Sequence, residues 1–311
     1  MKACFLSPSG FSVKEIDKPV CGDNDVLVKT SACGVCEGDV FQYKTRANKP
    51  PQGEIIGHEG SGVVAETGKN VKGFKTGDKV TALYGTYSEY FLIKPELLLR
   101  LPENVSALDA LGEPVACFMH AANRFGVKKG GKVALIGCGY MGLGCLQMVK
   151  IQGAKEIIVL EPIEWRRKAA IDAGATKTYD PSGKSAAQIL AELGECDVVI
   201  EATGVAPVID ICTKLVRQHG KIILVGYHQS EGGMRTVDMK TWNFKAIDVI
   251  NGHVRREDEK REAMKKGMQL LSEGRLDFKK AVAFYKFEDI EKAFADLLNR
   301  KEGLFKAVLT F

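Results

Sequence analysis

At 311 residues the chain exceeds the ~250–300 at which a single hydrophobic core stops growing, so two domains are expected rather than one small stapled module. Hydrophobic residues make up 45% and charged ones 27%, a globular balance without the signature of disorder, and no run approaches the apolar length of a membrane span. Forty-four Lys and Arg against 39 Asp and Glu leave +5, spread through mixed runs such as Arg256-Glu-Asp-Glu-Lys-Arg-Glu262 that read as solvated helix faces, so neither nucleic acid nor membrane is an expected partner.

The apolar run 3–6 is broken at once by Ser7-Pro-Ser-Gly10, too short for a signal peptide, and nine cysteines form an odd, scattered set. Both features predict a reducing, cytoplasmic setting without disulfides. Up to about residue 100, short alternating or apolar runs (25–29, 62–66, 79–83 and 87–93) are separated by Gly, Pro and Asp, which predicts a β-rich, barrel-like domain. From Gly131 the rhythm changes to buried strands at 133–136, 157–160, 198–200 and 222–225, separated by helical stretches such as 141–152 and 164–173. Strands alternating with helices predict a parallel, doubly wound sheet. A further strand is expected at 246–250, and the tail reads as a helix (257–273), a strand (281–287), a helix (288–299) and a strand (305–310). The tail breaks the βα rhythm, so it is expected to rejoin the first domain.

Gly137-Cys-Gly139-Tyr140-Met141-Gly142 fits G-x-G-x-x-G, following a strand and opening a helix. The first glycine permits the tight turn, the second lets backbone approach a pyrophosphate, and the third allows helix and strand to pack. Glu161 stands nineteen residues after Gly142, at the end of the next strand. A carboxylate there accepts hydrogen bonds from the ribose hydroxyls and repels a 2′-phosphate, so NAD is favoured over NADP, although Arg166 and Arg167 follow closely and an arginine could neutralise that phosphate. Thr203-Gly204 and Gly226 lie at strand ends, where open α/β sheets bind ligands, and are expected to flank the cofactor.

Three groups able to bind a transition metal, Cys36, His58-Glu59 and Glu113, each sit next to Gly or Pro. Singly each is weak, since a lone cysteine is usually core and Glu113-Pro114 a helix start. In combination they become recognisable. Gly57-His58-Glu59-Gly-Ser-Gly62-Val-Val-Ala-Glu-Thr-Gly68-Lys-Asn-Val71 resembles the zinc alcohol dehydrogenase signature of the medium-chain dehydrogenase/reductase family. Ala32-Cys33-Gly34-Val35-Cys36-Glu37-Gly38-Asp39, Gly77-Asp78-Lys79-Val80, Glu113-Pro114, the glycine loop and Glu201-Ala-Thr-Gly204 follow in the family's order.

The resemblance implies a GroES-like β-barrel catalytic domain (1–120 with 255–311) and a Rossmann NAD(P)-binding domain (121–254). It implies Cys36 and His58 as catalytic zinc ligands, Glu59 as a ligand or near-ligand, Glu113 in the remaining protein position, and Asp39 behind the ligand histidine. Cys33 matches no ligand; paired with Cys36 it could instead be a redox motif, though such pairs belong to thioredoxin-like βαβ units. The expected activity is reversible oxidation of an alcohol, secondary or polyhydroxylated, to a carbonyl with hydride transfer to the nicotinamide. Alternatives are a zinc-free quinone or enoyl reductase on the same scaffold, or a catalytically silent nucleotide-binding protein.

Two departures from the family stand out. Many zinc-bearing relatives insert a four-cysteine lobe where this chain has only residues 81–84, so one catalytic zinc and no structural zinc is expected. Where many relatives carry Ser or Thr two residues after the zinc cysteine to relay the alcohol proton, this chain has Gly38; water, Glu37 or a second substrate hydroxyl would have to serve, and the last of these favours a polyol. Glu113-Pro114 resembles the sorbitol, glucose and threonine dehydrogenase branch, and Gly252-His-Val-Arg255 loosely resembles its substrate-contacting segment. Phe41, Tyr43, Tyr84 and Arg255 are the candidate pocket walls, and a homodimer or homotetramer is expected, with 246–250 as an edge strand.

Overall fold

A computed structural model describes residues 1–108 and 111–311, which divide into two units: Met1–Ala116 with Arg256–Phe311, and Cys117–Arg255.

In the first unit the strand Val26–Gly34 is the organising element. It is buried on both faces along most of its length, with Val26, Leu27, Val28, Ala32 and Cys33 all inaccessible. It pairs antiparallel with Glu59–Thr67 and with Tyr90–Ile93, and at its far end with Lys306–Thr310. Lys79–Ala82 and Leu98–Arg100 continue the sheet on one side, and Val282–Lys286 runs parallel to Lys306–Thr310 on the other. The chain's last strand therefore sits against its third, and a smaller sheet of Gly10–Glu15, Lys2–Ser7 and Glu54–Ile55 completes the unit. The architecture is the GroES-like one, with Val26, Val28, Val64, Val80, Phe91 and Leu98 as one of its cores. Burying each such side chain contributes about 1.5–3 kcal/mol.

The second unit is a six-stranded parallel sheet in the order Lys177–Tyr179, Glu156–Leu160, Lys132–Ile136, Cys196–Glu201, Val216–Leu224, Asp248–Asn251. This is the Rossmann order, and it reverses direction beside Lys132–Ile136, where nucleotides bind. Its strands are nearly continuous Val, Ile and Leu because helices cover both faces.

Two strands differ from the sequence expectation for physical reasons. The strand expected at 87–93 starts at Tyr90, because Tyr87 serves the small sheet: Cys4 N–H donates to its carbonyl at 2.8 Å and its own N–H donates to Ile56 O at 2.9 Å. The strand expected at 246–250 is Asp248–Asn251, because Ala246 adopts φ +47° as the left-handed cap of the helix Met239–Lys245. No described helix is long and apolar enough to cross a membrane.

Candidate metal centre and nucleotide cradle

Three of the four expected metal ligands come together. Cys36, His58 and Glu59 present ligand atoms all within 4.8 Å of one another. Cys36 precedes the helix Glu37–Lys44 as its extended N-cap, so its side chain is aimed where the strand Val26–Gly34 gives way to helix. Glu59 opens the strand paired with Gly34, and a Cβ at Gly34 would lie 2.1 Å from Glu59 Oε2, so only glycine leaves room for this carboxylate.

Asp39 is the buried hub behind these groups. Its Oδ2 accepts from Cys36 N at 3.0 Å and from the Tyr87 hydroxyl at 2.8 Å. Its Oδ1 faces His58 Nδ1 at 3.4 Å, the place from which a carboxylate orients a ligating imidazole. Thiolate, imidazole and carboxylate with such a partner form a donor set that suits Zn²⁺. Burial lowers the His58 pKa, but hydrogen bonds and charge from Asp39 and Cys36 outweigh it and lift it to about 11. A proton held on His58 competes with a metal for the imidazole, so affinity rises with pH.

Glu59 is itself neutralised. Lys306 Nζ, on the last strand, lies 2.7 and 2.8 Å from its two carboxylate oxygens, with both residues almost fully buried. Burial pushes the Glu59 carboxyl up, Lys306 and His58 pull it back, and Glu113 adds to the upward push. Glu113 stands outside the three-residue group: its Oε1 is 2.6 Å from Lys260 Nζ. Gly38 leaves open space, since a Cβ there would meet nothing closer than Cys36 Sγ at 4.0 Å. Cys33 is fully buried, and burial drives its thiol well above the ordinary range, which makes it a packing residue rather than a redox partner.

In the second unit the glycine loop has the geometry its sequence asks for. Gly137 takes φ +91°, and a Cβ there would meet Thr203 Cγ2 at 2.5 Å. A Cβ on Gly142 would meet Gly137 O at 2.2 Å, whereas Gly139, which caps the helix Tyr140–Ile151, has open space before it. Tyr140 is buried and Met141 half-buried behind that opening. Glu161 is buried at the end of Glu156–Leu160, where Oε2 accepts from Cys138 N at 2.8 Å and Oε1 from Ile163 N at 3.0 Å. Arg166 is half-buried with its guanidinium 5.2 Å from the Trp165 ring, while Arg167 donates to the Glu161 carbonyl at 2.8 Å.

Glu201, fully buried, ties down the loops at the next two strand ends. It accepts from Thr203 N at 2.7 Å, from the Thr203 hydroxyl and from Gly204 N at 2.8 Å, and its Oε2 lies 3.0 Å from His228 Nε2. A Cβ on Gly226 would fall 2.1 Å from Gly204 N, so the two loops approach backbone to backbone. A cavity of about 440 Å³ opens beside them, lined by Gly226, Tyr227, His228, Asn251, His253 and Arg255.

The remaining expected pocket residues divide. Arg255 lines that cavity. Phe41 and Tyr84 are exposed on the first unit. Tyr43 is half-buried: it stacks on Phe11 at 5.3 Å, tilts against Phe294 and donates to Glu291 at 2.8 Å. Lys306 and Tyr87 went unnoticed in the sequence. The signal for Lys306 was a charged residue inside the apolar run 305–309, which when buried demands a partner.

A thiolate-imidazole-carboxylate cluster on a GroES-like unit, joined in one chain to a Rossmann unit with a complete glycine cradle, defines a metal-assisted nicotinamide dehydrogenase. Two family models agree: an alcohol dehydrogenase GroES-like domain matches residues 22–103, and a zinc-binding dehydrogenase domain matches residues 141–273. An uncharacterised zinc-type alcohol dehydrogenase-like protein of Escherichia coli is 29% identical, covering 99% of this chain and 98% of its own. A sorbitol dehydrogenase of Halalkalibacterium halodurans is 29% identical over 73% of this chain and 77% of its own. The crystal structure of an Escherichia coli oxidoreductase/dehydrogenase of unknown specificity superposes with a TM-score of 0.88 at 25% identity, covering 99% of this chain and 98% of that one. The chain belongs to the zinc-type alcohol dehydrogenases of the medium-chain dehydrogenase/reductase family, and its activity is oxidation of an alcohol.

Proposed function

We propose that this chain is a cytoplasmic NAD-dependent polyol or secondary-alcohol dehydrogenase with a single catalytic zinc. The observation that carries the reading is the convergence of Cys36, His58 and Glu59 in front of the buried Asp39. Zinc, when bound, supplies a Lewis acid that polarises the alcohol oxygen and stabilises its deprotonated form. Cys36 and His58 would hold it, with Glu59 in reach. Asp39, facing Nδ1, fixes the imidazole so that Nε2 is the ligating nitrogen. Among the described residues this is the one group with such donor geometry.

The backbone around Gly139 admits a pyrophosphate, and the helix behind it offers N–H groups to the phosphates. Each Glu161 oxygen accepts one backbone N–H, which leaves further lone pairs for ribose hydroxyls and a charge that repels a 2′-phosphate. Replacing Glu161 by Ala is expected to shrink the NAD-over-NADP ratio of kcat/KM by about tenfold or more, the effect of one charge-assisted contact. A ratio unchanged from wild type removes Glu161 from the ribose role.

The polyol preference rests on Gly38, which offers no hydroxyl for a proton relay, and on the sorbitol dehydrogenase relative. The outermost strand Asp248–Asn251 offers an edge through which a homodimer or homotetramer can form. The test is NADH formation over a panel of polyols, sugars, amino alcohols and simple alcohols, together with elemental analysis of the undepleted protein. Turnover with one zinc per chain is expected. Protein that is metal-free as isolated and fully active overturns the reading.

A further inference from the structure

Tyr87 reaches both of the segments that carry the metal ligands. It is fully buried, and its hydroxyl lies 2.8 Å from Asp39 Oδ2 and 3.4 Å from the Gly34 carbonyl. The one hydroxyl proton serves the shorter, charged contact. Asp39 Oδ2 also accepts from Cys36 N at 3.0 Å, so two donors converge on one oxygen while Oδ1 faces His58 Nδ1 at 3.4 Å. Turning this carboxylate about its side-chain bond would carry Oδ2 away from both donors, and Asp39 is itself fully buried. The Tyr87 residue is also wedged against the chain that enters His58. Its N–H donates to Ile56 O at 2.9 Å, and a Cβ on Gly57 would lie 2.9 Å from Tyr87 Cδ1, so glycine at 57 brings this backbone against the ring. Phe294 meets the ring edge-on, with centroids 6.3 Å apart. Packing thus fixes the ring, and the fixed ring aims the hydroxyl at Asp39.

We infer that Tyr87 is a positioning residue for the metal centre, its hydroxyl holding the Asp39 carboxylate so that one oxygen serves the Cys36 backbone and the other the His58 imidazole. Like the metal centre itself, this rests on the zinc reading above. Phenylalanine at 87 keeps the ring and its packing and removes only the hydroxyl. Asp39 Oδ2 is then left with Cys36 N as its donor, the carboxylate gains freedom to turn, and His58 loses a fixed partner for Nδ1.

The test titrates metal-free, full-length protein with Zn²⁺ against a chromophoric chelator, and records the visible spectrum with Co²⁺ in place of zinc as a direct report on ligand geometry. Tyr87→Phe is expected to weaken the zinc Kd about tenfold, the lower end of what partners behind a ligand contribute, and to alter the cobalt bands. In an Asp39→Asn background the same substitution is expected to change the Kd by less than about twofold, because the hydroxyl acts through that carboxylate. The inference is overturned if Tyr87→Phe keeps the wild-type zinc Kd or the wild-type cobalt spectrum, or if its full effect persists without the Asp39 carboxylate. It is overturned as well if the metal-free Tyr87→Phe chain fails to fold, since the hydroxyl would then serve the fold at large. A Cys36→Ser control separates the two readings: if it binds zinc as tightly as wild type, the metal centre has been misassigned and the role of Tyr87 falls with it, whereas weak binding by Cys36→Ser beside wild-type binding by Tyr87→Phe overturns the positioning role alone.

Discussion

Cys36→Ser is expected to lose its metal and its turnover while still binding the nucleotide. Removing a partner behind a ligand already lowers metal affinity or activity by about 10–100-fold, and removing a ligand exceeds that. The alcohol oxygen loses its polarising cation with the zinc, so kcat collapses rather than KM alone. The glycine cradle is built from Gly137, Gly139 and Gly142, with Glu161 and Glu201 beside them, in the other unit of the chain, so the NADH dissociation constant is expected to stay within twofold, roughly the scatter of independent sites. Metal content, steady-state turnover and NADH fluorescence read the three quantities separately. A fully active Cys36→Ser enzyme rejects the metal centre.

Lys306→Met should produce the largest loss of stability. Breaking a buried ion pair by removing one partner costs about 3–5 kcal/mol, because the other charge is left without compensation. Here the stranded group is Glu59, fully buried and held by Lys306 through both carboxylate oxygens. The loss should depend on pH, and its sign follows from linkage. Burial already pushes the Glu59 carboxyl above its ordinary value, and without Lys306 it rises further. A carboxyl whose folded pKa lies above its unfolded one costs stability as pH rises from the unfolded value through the folded one, and regains it when protonated. Urea midpoints of the metal-free protein should therefore show a deficit that is large at about pH 8 and distinctly smaller at about pH 5. Equal deficits at both would mean that Glu59 remains ionised without its partner.

Much of the fold was legible because it is written locally. The strands Lys132–Ile136 and Glu156–Leu160 are short β-branched and leucine-rich runs, the first bounded by Gly131 and Gly137 and the second closed by Glu161-Pro162, and the loop between the first of them and its helix carries its glycines at fixed spacing. The helix Glu257–Ser272 announces itself by an acidic first turn and a buried face of Ala263, Met264, Gly267 and Met268. Boundaries shifted where a distant segment took a residue away, as the small sheet took Tyr87. The site was legible in its residue types, less so in its partners. Cys36, His58 and Glu59 could be named from the signature around them, whereas the placing of Glu113 against Lys260 and of Tyr43 against Phe11 could not.

The amino-acid sequence by itself determined the element types, the glycine turn at Gly137 and the kinds of side chain able to hold a metal, because these depend on backbone freedom and donor chemistry within a few residues. Only the tertiary structure decided which ammonium neutralises which carboxylate. Lys306 and Glu59 lie 247 positions apart, and become neighbours because the last strand pairs with the third while the third also pairs with Glu59–Thr67. Periodicity tells a strand which face to bury, but an ion pair needs two atoms within about 4 Å, and that distance exists only once the sheet has closed its register.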